Sequence, residues 1–223
     1  MPDVPSNEVA AVASEERRRL TDAVRNLADI VLTAESLSGE ELVAAAAAVE
    51  ALNTGLDGRA PGDAPSGRRT RSELHHTDFL VRSPLIGIMN PVSPPFSRTW
   101  RDGKIHCEGS FTAVHEGPPG YVHGGWIALA FDEVLGMTSI AAEHAGMTGK
   151  LTVRYRRPTP LFAPLLFEGR VDHLEGNRIV VHGTVSSKGK VTAEAEGLFI
   201  TIDPEKAARY FGAGNREHLD ERA

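Results

Sequence analysis

The stretch His115-Glu-Gly-Pro-Pro-Gly-Tyr-Val-His-Gly-Gly-Trp126, followed by Asp132 and Glu133, gathers the residue types that could do chemistry. Pro118 and Pro119 fix backbone torsions, and Gly117 and Gly120 permit the sharp turns around them. His123, Gly124 and Gly125 open an apolar helix, whose N-terminus offers unpaired amides and a partial positive charge. Two glycines there let a substrate reach the backbone, and a carbonyl oxygen gaining negative charge under attack is stabilised at such a spot. The plainer alternative is an ordinary helix start. Asp132 lies inside the apolar helix, where an unpaired carboxylate is expensive to bury. A structural alternative is that Asp132 or Glu133 caps or pairs with something nearby. At ~100° per residue the two carboxylates point to different faces, so one at most serves a given site. A partly buried Asp132 is expected to have a raised pKa, making it a better base near neutrality.

The spacing itself carries a geometric argument. Asp132 follows His123 by nine residues, which on a helix is about 180° of rotation and roughly 13–14 Å of rise. The two cannot meet within one chain. A shared site needs a second copy of the helix running antiparallel, and therefore a two-fold dimer interface.

Other chemistry-bearing residues give weaker patterns. Arg154 and Arg156 share one strand face and Arg157 takes the other; these, or Lys188 and Lys190, could meet phosphates or could be solvated surface charge. His75-His76 and the scattered histidines lack metal-ligand spacing, so no metal site is expected. Cys107 falls in a strand pattern and reads as packing. There is no Gly-x-Ser-x-Gly elbow, and no GxGxxG or Walker pattern.

The elements that must position these residues are legible as periodicities. His123 to about Glu143 has no proline, and Ile127, Phe131, Val134, Leu135 and Thr138 share a face while Ala128, Leu129, Ala130 and Met137 fill much of the rest. A helix apolar nearly all round is a buried helix. Before it, segments 97–100 and 104–114 flank Asp102-Gly103, a hairpin turn signal. After it come four strand-like segments, 150–156, 165–173, 178–187 and 190–202, with turn chemistry between them. Antiparallel hairpins wrapping one buried helix make an α+β domain.

The N-terminal part differs. Leu20, Val24, Leu27, Val31 and Ala34 lay one apolar stripe along a helix of about 20 residues. Ser38-Gly39-Glu40-Glu41 looks like a capping box for a second helix through Leu42 to Leu52, which Gly55 can end. A helical hairpin this small should pack on the main domain or on a partner chain. The expected organisation is a helical hairpin at 1–57, a Gly/Pro/Arg-rich linker at 58–83, the α+β domain at 84–203 and a tail at 204–223.

The 223 residues carry 24 Lys and Arg against 30 Asp and Glu, a net charge of -6, with 41% hydrophobic residues and one Cys. Residues 1–57 hold -7 of that charge, the linker +2 and the remainder -1. An acidic chain argues against nucleic-acid binding, and the longest apolar run falls short of the ~20 residues that span a bilayer. The first residues lack a basic region leading into an apolar run, so no secretory signal is expected. One cysteine fits a reducing compartment, and a cytoplasmic location is expected.

The order of elements, with Gly-Pro-Pro-Gly-Tyr-Val-His-Gly-Gly and the acid nine residues after the histidine, resembles the hotdog-fold acyl-CoA thioesterases. It is most similar to the PaaI-like group and to the group of thioesterase superfamily members 4 and 5. Arg154-Tyr155-Arg156-Arg157-Pro158-Thr159-Pro160-Leu161 resembles the strand after the helix in that family, and the likeness covers about residues 84–203. It implies a homodimer, often paired into a tetramer, that hydrolyses acyl-CoA. No cofactor is implied beyond the CoA of the substrate, and neither nucleic acid nor membrane is an implied partner. Carried over, Asp132 is the general base or nucleophile, and the Gly124 amide, beside Gly125, holds the thioester oxygen. His123 orients the carbonyl or the loop, and Thr148 helps position water or Asp132. Where many PaaI-like enzymes have Asn or Gln six residues before the histidine, this chain has Gly117. Two other readings share the fold: a non-catalytic acyl-CoA-binding protein, and a hydratase or dehydratase.

Overall fold

A computed structural model describes residues 15–57, 80–94, 96–144 and 146–201. Most of the expected linker, His75-His76 and the 204–223 tail lie outside these residues. Six strands form one antiparallel sheet: β1 (Ser97–Arg101), β2 (Lys104–Gly109), β3 (Gly146–Tyr155), β4 (Leu165–Glu175), β5 (Arg178–Ser187) and β6 (Lys190–Thr201). Their order across the sheet is β1-β2-β4-β5-β6-β3. Tight turns join the consecutive pairs, and Asp102, Gly103, Gly176, Lys188 and Gly189 all have positive φ there. These are the turn residues that hairpins with right-handed strand twist demand.

Three long helices lie among the described residues: α1 (Glu15–Thr33), α2 (Gly39–Asp57) and α3 (Gly124–Ala141). α3 lies against the sheet, and its Ile127, Phe131, Val134, Leu135 and Thr138 are all buried, as their spacing requires. The sheet makes room for it. Gly169 of β4 and Gly183 of β5 are cross-strand partners. A Cβ on Gly169 would collide with Thr138 Oγ1, and one on Gly183 would stand 2.7 Å from Leu135 Cδ2. Side chains at those two positions would push the helix off the sheet. Phe131 packs edge-on against Phe167, which also meets Phe96 and Phe111.

Several element ends differ from the periodicity. β2 stops at Gly109 rather than Val114, because residues 113–115 close into a 3₁₀ turn. β3 starts at Gly146, four residues before the expected start, and pairs with β6 back to Thr201. α2 runs through Gly55 to Asp57; a single helical glycine costs only about 1 kcal/mol. The capping box at its start does form, with Glu41 Oε2 accepting from the Ser38 amide at 2.8 Å and Ser38 Oγ accepting from the Glu41 amide at 3.3 Å.

The larger difference lies in α1. The face it turns to the domain is polar, with Thr21 and Arg25 buried. Arg25 donates to the Ser93 and Asn90 carbonyls at 2.9 and 3.0 Å and pairs with Asp22. Leu20, Val24, Leu27 and Val31, the expected packing stripe, are exposed. So is nearly all of α2.

Candidate functional site

The loop into α3 is held from behind by His115, a buried side chain. Its Nδ1 meets the Thr112 amide at 3.1 Å, its Nε2 meets the Val92 carbonyl at 3.0 Å, and its ring sits edge-on to Trp126. Burial holds its pKa below the ordinary histidine value, against the opposing pull of those backbone contacts. The His115 carbonyl then accepts from the His123 amide at 2.9 Å, so the loop 116–122 closes as a ring. Within it the Gly117 amide donates to the Tyr121 carbonyl at 2.8 Å. A Cβ on Gly117 would lie 2.7 Å from His123 Cα. Asn or Gln at that position would thus require the loop to shift, which accounts for the glycine.

His123 is the N-cap of α3. Its Nδ1 accepts from the Gly125 amide at 3.0 Å. That bond takes one of the two glycine amides expected to face a substrate. The Gly124 amide has no hydrogen-bond partner among the described residues and remains the open donor of the pair. Tyr155, at the end of β3, donates its hydroxyl to the Gly124 carbonyl at 2.8 Å. Its ring also lies where a Gly124 Cβ would meet it at 3.4 Å. Tyr155 was not singled out in the sequence. It sits 31 residues from Gly124, and no local spacing signals that contact.

Asp132 occupies the next part of the same helix on its open side. It is exposed in the protomer rather than partly buried. Its Oδ1 accepts from Thr148 Oγ1 at 2.8 Å. The β3–β6 register shifts between Thr148 and Lys150, and a bulge of this kind re-aims a side chain. The half-buried carboxylate is the neighbour. Burial pushes Glu133 above its ordinary pKa; Ser83 opposes that rise and the Asp132 charge adds to it. Glu133 Oε1 is buried without a hydrogen-bond partner among the described residues. Adjacent positions on the helix therefore carry an exposed, oriented carboxylate and a half-buried one with one oxygen unpaired.

Because α3 is continuous from Gly124 through Asp132, about 12 Å of helix rise separates the open amide from the carboxylate. The structure thus brings together Gly124, Gly125, His123 and Tyr155 at one end, and Asp132 with Thr148 further along. It does not bring the two groups together in one protomer. The five basic residues considered for phosphates part company. Arg154 and Arg156 both pair with Glu194, at 3.6 and 2.5 Å. Arg157 donates to the Val191 carbonyl at 2.8 Å. The side chains of Lys188 and Lys190, at the β5–β6 turn, have no ion-pair or hydrogen-bond partner among the described residues. No group of three or more metal-ligating side chains assembles among the described residues, and no helix there is long and apolar enough to cross a membrane.

A six-stranded antiparallel sheet laid around one long helix, with a glycine-opened helix N-terminus, is the hotdog architecture. The thioesterase superfamily profile matches residues 119–194, from the Pro-Gly-Tyr-Val-His-Gly-Gly run to Glu194. A solved structure of a thioesterase superfamily protein is 33% identical, with a TM-score of 0.73, and the match covers 82% of this chain and 90% of that one. The chain belongs to the thioesterase superfamily. Acyl-coenzyme A thioesterase THEM4 of Mus musculus is 38% identical over 93 residues, 41% of this chain and 40% of the relative. Acyl-coenzyme A thioesterase THEM5 of Homo sapiens is 27% identical over 93 residues, again 41% of this chain and 38% of the relative. The chain thus spans about 40% of the length of the curated relatives it matches.

Proposed function

We propose that this chain hydrolyses acyl-CoA thioesters at a site assembled from two copies. The observation that carries the reading is the Thr148–Asp132 hydrogen bond, which orients an exposed carboxylate on the open side of the helix whose first turn holds an unpartnered amide. The names of the THEM4 and THEM5 relatives point the same way.

In this reading the Gly124 amide receives the thioester oxygen, adding its dipole to that of the helix end as negative charge develops. His123 contributes by holding the first turn through Gly125, and Tyr155 braces it from the carbonyl side. Asp132 of the second copy takes a proton from water, or attacks directly; the C–S bond breaks, the thiolate leaves as CoA and a free acid remains. Thr148 keeps one Asp132 oxygen engaged so that the other faces the reacting atom. No metal or redox group has a part in this sequence.

A homodimer supports the scheme on three counts. The two halves of the site lie about 12 Å apart along one helix, too far to meet within a protomer. β3, an edge strand of ten residues, has its outer backbone edge unpaired among the described residues, and a long bare edge is a pairing surface. The apolar sides of α1 and α2 are exposed in the protomer.

Free-thiol release from a panel of acyl-CoAs, short to long and aromatic, tests the proposal with wild type and Asp132→Asn side by side. Loss of an oriented base lowers kcat by roughly 10²–10⁴ while the dimer persists in sedimentation. Saturable acyl-CoA binding without turnover in both proteins would make this a binding module instead. Turnover untouched by the substitution would move the base elsewhere.

A further inference from the structure

The polar face by which α1 docks meets one short turn, Asn90 to Ser93, and that turn also seats His115. The Ser93 amide donates to the Asn90 carbonyl at 3.0 Å and the Val92 amide to Asn90 Oδ1 at 3.0 Å, so Asn90 closes the turn. Arg25 takes both of its ends. Nε donates to the Ser93 carbonyl at 2.9 Å and Nη2 to the Asn90 carbonyl at 3.0 Å. Asp22 holds the remaining arm of the guanidinium. Between those two residues the Val92 carbonyl meets His115 Nε2 at 3.0 Å. A planar fork with fixed donors sets two carbonyls at once, whereas a lysine ammonium is a point charge on a flexible stem.

Asp29 lies one turn beyond Arg25 on the same face of α1. Its Oδ1 accepts from the Val114 amide at 3.4 Å, inside the 3₁₀ turn that carries His115. α1 thus grips both walls of the His115 seat. The imidazole is itself oriented: Nδ1 accepts from the Thr112 amide, so the proton sits on Nε2 and points to the Val92 carbonyl. Burial and the Arg25 charge favour that neutral ring, against the Asp29 charge and the two backbone contacts. Two contacts lead forward from His115. Its carbonyl accepts from the His123 amide at 2.9 Å, and its ring packs edge-on to Trp126 with 4.7 Å between centroids. His123 and Trp126 flank Gly124 and Gly125, so the first turn of α3 is held from both sides.

We propose that α1 aims the oxyanion donor: Arg25 and Asp29, acting through the Asn90–Ser93 turn and His115, hold the Gly124 amide in the direction that receives the thioester oxygen. The proposal rests on the acyl-CoA reading above. Arg25 and Asp29 are positioning residues, since each acts through His115 and its seat. An amide stabilises developing charge only when it is aimed at the place the oxygen occupies in the transition state. Hydrogen bonds have direction and apolar contact has none. Docking by the polar side therefore gives α1 a task that its apolar stripe does not perform.

The test uses the full chain and reads acyl-CoA turnover beside the Gly124 amide resonance, in wild type, Arg25→Gln, Arg25→Lys, Asp29→Ala and Asp29→Asn. A misaimed donor weakens an interaction made chiefly in the transition state, so kcat falls while KM stays within about twofold. Arg25→Gln lowers kcat about tenfold, and Arg25→Lys, which keeps one donor contact, about threefold. Asp29→Ala lowers it about threefold. Asp29→Asn retains an acceptor for the Val114 amide and restores most of that loss. The Gly124 resonance moves in the same order. Where Arg25→Gln does not fold, Arg25→Lys and the Asp29 pair carry the comparison. A merely structural role would lower the folded fraction alone. Variants with wild-type kcat per folded molecule and an unmoved Gly124 resonance overturn the proposal, as does a loss confined to KM. If wild type hydrolyses no acyl-CoA, the hydrolase reading fails. A Gly124 shift in the Arg25 variants then keeps the link from α1 to that amide, and an unmoved resonance removes it.

Discussion

Helices α1 and α3 are of similar length, 19 and 18 residues, and meet opposite fates. α3 is apolar nearly all round and is buried by the sheet that curves about it. α1 is amphipathic, yet it docks by its polar side and leaves Leu20, Val24, Leu27 and Val31 in solvent. α1 also buries one long charged side chain, and α3 half-buries another. Arg25 of α1 finds two carbonyls and Asp22, so its donors are engaged. Glu133 of α3 keeps one oxygen without a partner. Apolar periodicity states how much surface must leave water; it does not say which neighbour will cover it. For α3 the neighbour is the chain's own sheet. For α1 the chain supplies a polar dock and leaves the apolar stripe for another surface.

The contrast can be broken at several points. The largest effect is expected in α3, where Phe131→Ala removes a fully buried ring that meets Phe167. Denaturant unfolding should show a loss of about 3–5 kcal/mol.

Glu133→Gln tests the unsatisfied carboxylate through pH. Burial holds the folded-state pKa above 4.5, its ordinary value, so below that value both states bind the proton and there is no penalty. As pH rises from there toward the folded-state pKa, the unfolded chain releases its proton first and stability falls. Wild type should therefore lose stability relative to Glu133→Gln over that window, with the gap constant at higher pH. Parallel profiles for the two proteins would show that Glu133 finds a partner that the protomer alone does not display.

The smallest effect on folding is expected from Val31→Lys on α1, since that side chain is 70% exposed. Unfolding of the protomer should change by no more than about 0.5 kcal/mol. If a second copy covers the stripe, the same substitution weakens the dimer in sedimentation while leaving the protomer fold intact. An unchanged dimer would assign the stripe to something other than a second copy.

Much of the arrangement of the candidate site was legible in the sequence, because its parts lie on one helix. The spacing of His123 and Asp132 already separates them, and a continuous α3 keeps them apart. Thr148 was expected from family resemblance, and the shift in register beside it gives the physical means by which a strand residue reaches Asp132. Exposure was not legible. Asp132 and Glu133 are adjacent in sequence, and which of them faces solvent depends on what stands beside α3, here Ser83 from a segment fifty residues earlier. Tyr155 was missed for the same reason, since its contact with Gly124 joins a strand end to a helix start 31 residues away.

The amino-acid order by itself determined the buried helix, the hairpins and their turns, and the glycines that open α3, because each follows from local torsional preference or from apolar period. Only the tertiary structure decided that His123 occupies the Gly125 amide, that Glu194 claims two arginines while Lys188 stays free, and that α1 docks through Arg25. Those outcomes are competitions among polar groups for partners. Burial and distance settle such competitions, and neither exists until the sheet has closed on the helix.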